Sequence, residues 1–446
     1  MRALLVNPWI YDFAAYDLWS KPLGLLNIAS YLRLAGWEVS LIDCLDRFHP
    51  ELKNFLTHDP VPGTPFGSGP YYSEAVEKPS IFKDIPRRFK RYGLPIDLFK
   101  NILKNEKRPD IVLVGSGMTY WYPAYFDAIK ILREKFGEVP IALGGVYANL
   151  CFEHARAYSG ADLVYKGSGI PGVLDSITKL TGAHFDISSI DGPPPLPSYD
   201  LYPELRYVTL RTSKGCPFRC TYCGSNLLEK DFIQQDAPFV VAEIEYFYKN
   251  YGVKNFSFYD DALLYNAEGH IIKILNGLFE KNIKAFFHTP NALHNRFLTA
   301  RLAGFLKASG FIQPRLALET SSSKRQLESG AKTTNEEFLT AVTYLKEAGY
   351  RAKDIGVYIL IGLPEQSVDE IRTSIEFAAS QNVRIFLEEY SPIPGTPDYQ
   401  KSGLAPDADP LLHNNSAFPL YRPDQYHEFQ NLKDRAHRLN ESLLAA

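Results

Sequence analysis

Short, continuously apolar runs alternating with helical patterns restrict this chain's fold more than any other feature. In the first half, residues 3–6, 39–42, 111–114, 141–143 and 163–165 each lack the alternation of a half-exposed strand. Strands covered on both faces read this way, as in a parallel sheet. Between the first two runs, Leu25, Ile28, Ala29 and Leu32 share one helical face. Residues 47–107 interrupt the pattern, rich in Pro, Gly and Tyr at first and basic later. They read as an insertion that packs over the sheet or lids a site, with a disordered loop as the alternative.

The expected fold class is α/β. Residues 1–190 predict a flavodoxin-like (Rossmann-like) doubly wound parallel sheet, with any ligand beyond the carboxyl ends of its strands. A proline-rich stretch, Gly-Pro-Pro-Pro-Leu-Pro-Ser at 192–198, marks a linker over 191–204. After it, strand candidates at 206–212, 255–259, 285–288, 315–319, 356–362 and 384–389 recur with longer helices. Asp236 followed by Pro238 opens one helix, and Ser367 with Glu370 reads as a capping box. Six such units predict a partial (β/α)6 TIM-like barrel over 205–400, working at the carboxyl ends of its strands. Residues 401–446 are left as a short helical tail, its helix opening near Pro423.

With 446 residues, 45% hydrophobic, the chain can bury more than one core. Its 48 Lys and Arg against 51 Asp and Glu give a net charge of −3. No basic block is long enough to track a phosphate backbone, which disfavours nucleic acid as a partner. The densest basic stretch, residues 87–91, reads as a solvated helix face. No apolar run approaches the roughly 18 residues of a membrane span, and the first residues read as a strand rather than a targeting segment. A soluble, cytoplasmic protein is expected.

Three cysteines, Cys216, Cys220 and Cys223, stand in Lys-Gly-Cys-Pro-Phe-Arg-Cys-Thr-Tyr-Cys-Gly-Ser, just after the first strand of the second half. No fourth cysteine is near. A four-iron, four-sulfur cluster held by three thiolates keeps one iron open for a ligand. Zinc completed by a distant histidine, or plain burial, are the competing readings. Five cysteines in the whole chain argue against a disulfide framework. Cys44 and Cys151 read as small buried hydrophobes.

The spacing Cys-x-x-x-Cys-x-x-Cys, with Tyr222 before the last cysteine, resembles the signature of the radical S-adenosylmethionine enzymes. The likeness runs from about residue 206 to 399. It implies a [4Fe-4S] cluster on the three cysteines, with S-adenosylmethionine on the open iron. One electron, from a reductant such as flavodoxin or ferredoxin, then yields a 5′-deoxyadenosyl radical. It further implies that Tyr222 and Gly224 contact adenine, as do Ile361 and Gly362. Asp260 and Asp261 would take the methionyl amino group through a charged hydrogen bond. Many relatives carry Gly-Gly-Glu there, and a helix cap is the other role for Asp261. Glu319 and Ser321 resemble the element whose carboxylate accepts from the ribose diol. Thr320 departs from the usual Glu-Ser-Gly, and an ion pair with Arg315 is the alternative for Glu319. The loop at 392–397, Pro-Ile-Pro-Gly-Thr-Pro, is a frequent family feature.

The first half resembles the cobalamin-binding domain fused to many radical enzymes. The matching residues are Asn7 and Pro8, then Pro22, Leu23 and Gly24, then Ser116, Gly117, Met118 and Thr119, and finally Gly144 and Gly145. Small residues at strand ends let a nucleotide tail thread close to the backbone. The Asp-x-His-x-x-Gly element that supplies a cobalt-ligating histidine elsewhere is missing, and residues 9–24 contain no histidine. The stretch Lys-Gly-Ser-Gly-Ile at 166–170 lacks a glutamate common in relatives. Trp9, Tyr11 and Trp19 could cover the corrin ring, with plain packing as the alternative.

The resemblance implies an enzyme that, with cobalamin, methylates or rearranges an unactivated carbon of a small-molecule or peptide substrate. One alternative is a radical enzyme with a vacant cobalamin-like domain, catalysing cyclisation or oxidation. Another is a non-catalytic iron-sulfur electron carrier or sensor. Methylthiolation of tRNA is disfavoured, because a second cysteine triad and an RNA-binding tail are missing. No catalytic residue is assigned. His288, Asn291, Tyr358, Glu388 and Tyr390 are strand-end pocket candidates, each with an ordinary core or capping role as the alternative.

Overall fold

A computed structural model describes residues 1–56, 63–185, 194–416 and 425–445. Part of the linker, residues 191–193, and the expected helix start at Pro423 lie outside the described residues. The chain divides into two compact units. The first is 1–206 with 409–411; the second is 207–408 with 412–446.

Five parallel strands form the first unit's sheet, lying in the order Leu163–Val164, Ile141–Leu143, Ile111–Val114, Arg2–Asn7, Glu38–Asp43. This is the flavodoxin-like order 2-1-3-4-5, read from the far edge. Ala3 pairs with both Val39 and Ile111, so the first strand is central and its apolar residues meet helices on both faces. Ala3, Leu4, Leu5 and Val6 are all fully buried. On one face they meet Leu25, Ala29 and Leu32 of the helix Leu23–Leu34. Burying each leucine or valine contributes roughly 1.5–3 kcal/mol.

The described residues of the inserted segment pack on the chain after the first strand. Ser73–Ala75 and Lys90–Tyr92 form a small antiparallel sheet with Ile10–Asp12, and Gly69–Pro70 pairs with Tyr16–Asp17. The helix Ile96–Asn105 then returns the chain to the third strand. Trp9 is fully buried, its indole donating to the Leu94 carbonyl at 2.6 Å. Trp19 donates to Phe66 at 2.8 Å, and the Tyr11 hydroxyl to Asp127 at 2.8 Å. These three aromatics are packing residues of the inserted layer.

Six parallel strands make the second unit, in two sheets of three. Val208–Leu210, Asn255–Phe258 and Phe286–His288 form one; Arg315–Glu319, Gly356–Ile361 and Arg384–Glu389 form the other. Single parallel bridges, Phe287 to Phe311 and Leu293 to Leu316, join them into a partial barrel. Side chains alternate across each strand. Val357, Ile359 and Ile361 are buried beneath the helices, whereas Tyr358 and Leu360 face the lumen and are half-buried.

Helix ends show how local signals were spent. Ser367 accepts from the Glu370 backbone N–H at 3.1 Å, but the Glu370 carboxylate goes to Arg325 and Thr320, so no reciprocal box forms. The reciprocal box is at Thr334 and Glu337 instead. Asp236 caps its helix without a side-chain bond, leaving Pro238 to set the entry. The final helix, Tyr426–Ala445, covers the last strand. Its Asn440 amide both donates to the Ile385 carbonyl and accepts from the Ile385 N–H, each at 2.8 Å, which satisfies that strand's edge. No helix among the described residues is long and apolar enough to cross a membrane.

Candidate active site

The cysteine loop leaves the first barrel strand and is pinned at several points. Ser213–Lys214 pairs antiparallel with Ile233–Gln234 across its base. Gly215 has φ 71°, and a Cβ there would stand 2.3 Å from the Asp231 carbonyl, so only glycine fits. Phe218 stacks on His294, with ring centroids 4.7 Å apart. Thr221 donates to Asp398 at 2.9 Å and to the Ser329 carbonyl at 3.2 Å, tying the loop to segments that follow the sixth and fourth strands. The three cysteines are half-buried, and burial pushes Cys216 up to about 11 and Cys220 upward. Bare thiols here would stay protonated at neutral pH, and a bound metal centre is what ionises such groups. Three cysteines on one rigid, partly enclosed loop are a donor set that fits an iron-sulfur cluster. Among the described residues no three His, Cys, Asp or Glu side chains converge on a single ion. A cluster needs no such convergence, because each thiolate takes a different iron.

Beside the cysteines lies Lys332, a residue that no motif marked. Glu319 ends the fourth strand at φ 62°, just after a register shift, and its carboxylate pairs with Lys332. Side-chain exposure is 13% for Glu319 and 16% for Lys332. Burial alone would lower the lysine, but Glu319 and Cys220 together keep it firmly protonated. Its ammonium also lies 5.9 Å from the centre of the Tyr222 ring. The partner of Glu319 is therefore Lys332 rather than Arg315. Tyr222 packs with Leu360 against Leu363 and Tyr390. A Cβ on Gly224 would come within 3.0 Å of Ile393. The backbone N–H of Ser321 donates to Ser374 at 2.8 Å, and the two hydroxyls stand 3.2 Å apart.

Two of the expected contacts are redirected. Ile361 is fully buried on the helix-covered face, whereas Leu360, one residue earlier, joins Tyr222 in packing on Leu363 and Tyr390. Strand alternation causes the slip, since a shift of one residue exchanges faces. Gly362 follows at φ 82°. The acidic pair also splits. Asp260 is 2% exposed and accepts from Thr212 at 2.9 Å and Ser213 at 2.6 Å, so one oxygen secures the start of the cysteine loop. Its other oxygen is buried and unbonded, and burial holds the carboxyl up at about 6. His270 meets Thr212 at 2.9 Å, and nearby Glu243 is pushed up to about 8 by burial and then by Asp260. Asp261 is less enclosed, lies near Cys216, and is raised by burial.

The lumen gathers the remaining second-unit candidates. His288 meets the Asn255 side chain at 3.1 Å, and burial, then Arg315, depresses it to about 3. Asn291 donates to the Asp260 carbonyl at 3.3 Å, and the Tyr358 hydroxyl to Pro290 at 2.8 Å. Glu388 touches solvent yet sits deep enough that desolvation raises it to about 7. Tyr390 is buried against Leu363.

In the first unit, neighbouring strand ends bring the glycine-rich candidates to one edge of the sheet. Asn7 donates to Asp43 at 2.7 Å. Pro22 and Leu23 open the first helix, and Pro8 is buried beside Asn7. Ser116 spends its hydroxyl on the Gly144 carbonyl at 2.7 Å, and the Gly117 N–H donates to Tyr125 at 2.7 Å. Met118 is exposed and Thr119 buried. Gly145 has φ 104°, and a Cβ would fall 2.3 Å from the Ser116 carbonyl. Its glycine is demanded by the fold itself. Around Gly144 the nearest atom to a Cβ is 4.0 Å away, and Gly24 has open space.

Residues 210–378 match the Radical SAM superfamily. An uncharacterized methyltransferase of Pyrococcus horikoshii is 26% identical over 339 residues, covering 68% of this chain and 72% of the relative. The anaerobic magnesium-protoporphyrin IX monomethyl ester cyclase of Rubrivivax gelatinosus is 20% identical over 71% of this chain and 62% of its own length. Among solved structures, the radical S-adenosylmethionine methyltransferase TsrM from Kitasatospora setae, with cobalamin and a [4Fe-4S] cluster bound, has a TM-score of 0.62 at 15% identity. That match covers 89% of this chain and 76% of TsrM. The cobalamin-dependent radical enzyme OxsB gives 0.57 at 16% identity, over 94% of this chain and 56% of OxsB. The likeness to both is one of fold. The cysteine loop at the end of the first barrel strand lies within the matched segment: residues 210–378 form a Radical SAM superfamily domain, in a chain whose fold is similar to those of TsrM and OxsB.

Proposed function

We propose that this enzyme is a cobalamin-dependent methyltransferase acting on an unactivated carbon of a small-molecule or peptide substrate. The observation that carries the reading is the pairing of a pinned three-cysteine loop with the buried Glu319–Lys332 pair, in a chain whose first unit presents an open glycine-rich sheet edge. When bound, the cluster supplies the electron that cleaves S-adenosylmethionine, and cobalamin supplies a carrier for the methyl group.

The residues around those groups have separable tasks. Cys216, Cys220 and Cys223 hold the cluster, and Asp260 braces their loop through Thr212 and Ser213. Glu319 accepts from the ribose diol while its ion pair with Lys332 holds the carboxylate in place. Tyr222 and Leu360 line the adenine, with the backbone of Gly224 and Gly362 close by, and Asp261, which also accepts from Ser225, takes the methionyl ammonium. In the first unit, the segments 7–8, 22–24, 116–119 and 144–145 cradle the corrinoid's nucleotide tail. Gly144 and Gly24 leave the room, and the backbone of 116–119 supplies the polar contacts, the Ser116 hydroxyl being already spent. A flavodoxin or ferredoxin delivers the electron.

The test is anaerobic reconstitution of the full chain with iron, sulfide and hydroxocobalamin, followed by gel filtration and incubation with methyl-labelled S-adenosylmethionine and a reductant. Retained corrinoid, together with both 5′-deoxyadenosine and S-adenosylhomocysteine, is the expected result. Deoxyadenosine without retained corrinoid would replace this reading with a vacant first domain and cyclisation or oxidation. Neither nucleoside would leave an electron carrier or sensor.

A further inference from the structure

The barrel holds two neighbouring arginines that, among the described residues, form no ion pair. Arg315 opens the fourth strand and Arg384 the sixth, and both lie over the Phe386 ring, at 4.7 and 5.1 Å from its centre. Gly356, on the strand between them, makes the arrangement possible. A Cβ there would lie 2.8 Å from the Phe386 ring and 3.3 Å from the Arg315 stem. Arg315 also donates to the Tyr358 hydroxyl. Among the described residues neither guanidinium has a carboxylate at ion-pairing distance, and Nε of Arg384 is buried without a hydrogen-bond partner. Glu388 feels Arg315 and Asp354 acts on Arg384, but neither carboxylate forms an ion pair with them.

Two like charges held together in a partly enclosed space are costly unless something compensates them. The aromatic ring between them offsets only part of that cost, because a cation over a ring gains about 0.5–2 kcal/mol. Other buried cations of this unit are matched: Lys332 has Glu319 and Arg325 has Glu370. The mismatch is therefore confined to the lumen, where Tyr358, Phe386 and Leu360 are half-buried and Glu388 touches solvent.

We infer that Arg315 and Arg384 form an anion subsite for the substrate, taking a carboxylate or phosphate at the end of the lumen away from Glu388. An anion there would be bound by planar guanidinium forks, with the faces of Tyr358 and Phe386 to hold an adjoining ring or chain. Arg384 and Glu388 are four residues apart on one strand, or roughly 13 Å at about 3.3 Å per residue. A substrate filling that span would carry its anionic group at one end and its reacting carbon at the other, toward Glu388 and Glu319. That last assignment rests on the proposed radical chemistry, whereas the anion site does not.

On the anaerobically reconstituted full chain, calorimetry should show saturable binding of benzoate or phenyl phosphate, and none of benzamidinium or benzyl alcohol. Whichever anionic probe binds more tightly identifies the group as carboxylate or phosphate. Arg315→Gln and Arg384→Gln should each weaken that probe by about tenfold or more, with S-adenosylmethionine binding in equilibrium dialysis unchanged. Failure of both anions to bind the wild-type chain overturns the inference without requiring any variant to fold, as does equal binding of the cationic or neutral probe. Unchanged probe affinity in both arginine variants overturns it as well. Loss of S-adenosylmethionine binding in those variants would also overturn it, by giving the pair to the cofactor's own carboxylate. Deoxyadenosine formation is read separately, so a failed radical chemistry and a failed anion site are told apart.

Discussion

The two sheets of this enzyme use the same strand-helix repeat to opposite ends. In the first unit the central strand is buried on both faces, with Ala3, Leu4, Leu5 and Val6 all out of water. In the barrel, Val357, Ile359 and Ile361 are sealed under helices while their neighbours Tyr358 and Leu360 face an open lumen. A sheet covered on both sides can offer a ligand only its ends, where Ser116, Gly144 and Gly145 stand. A barrel strand can offer a whole face, which is why Arg315, Tyr358, Glu388 and Glu319 gather inside it.

Removing the cysteines should have the largest effect. Cys216→Ala, Cys220→Ala and Cys223→Ala combined should abolish bound iron, visible charge-transfer absorbance and all S-adenosylmethionine cleavage; unchanged iron content would place the cluster elsewhere. The two-face contrast is sharpest at adjacent residues. Ile361→Ala should cost about 2–5 kcal/mol of stability and leave S-adenosylmethionine affinity alone in the folded fraction. Leu360→Ala should do the reverse, and denaturant unfolding beside equilibrium dialysis would separate them.

At the first sheet's edge the contrast is between two glycines. Gly145→Val has no room against the Ser116 carbonyl and should destabilise the unit by several kcal/mol. Gly144→Val has room, so it should fold and keep its cluster but lose corrinoid in gel filtration. If corrinoid is retained, the cobalt(II) electron paramagnetic resonance spectrum should lack coupling to an axial histidine nitrogen. Within the barrel, Glu319→Gln should weaken S-adenosylmethionine binding by about 2 kcal/mol, tens of fold, at unchanged iron content.

The smallest effect concerns pH. Glu243 and Asp260 have folded values of about 8 and about 6, both above the ordinary carboxylate range. The folded state therefore holds protons that the unfolded state has released. The stability tied to them is fully present below the ordinary carboxylate values and is lost as pH rises through about 6 and then about 8. Glu243→Gln should flatten the decline of melting temperature between pH 5 and pH 8. An equally steep decline in the variant would remove Glu243 from the account.

Much of this was legible in the chain. Continuous apolar runs announced a doubly covered sheet, and the cysteine spacing announced the cluster loop, because both are local patterns. Orientation was harder to read. Ile361 is sealed under helices and its neighbour Leu360 is not, a difference that an apolar run does not reveal. Lys332 carried no signal at all: it reaches Glu319 from 13 residues downstream, across a turn and a short helix. Asp260 and Asp261 look equivalent in sequence, yet Asp260 is sealed against Thr212 and Ser213 while Asp261 is less enclosed, beside Ser225.

By itself, the sequence determined the order of strands and helices, the break between two domains' worth of apolar pattern, and the three thiolates on one loop, all of which follow from spacing along a few residues. Only the tertiary structure decided that Lys332 rather than Arg315 neutralises Glu319, leaving Arg315 beside Arg384 with no carboxylate to pair with. The physical reason is that charge pairing is settled by distance through space and by exclusion of water, and neither is written in the separation of residues along a chain.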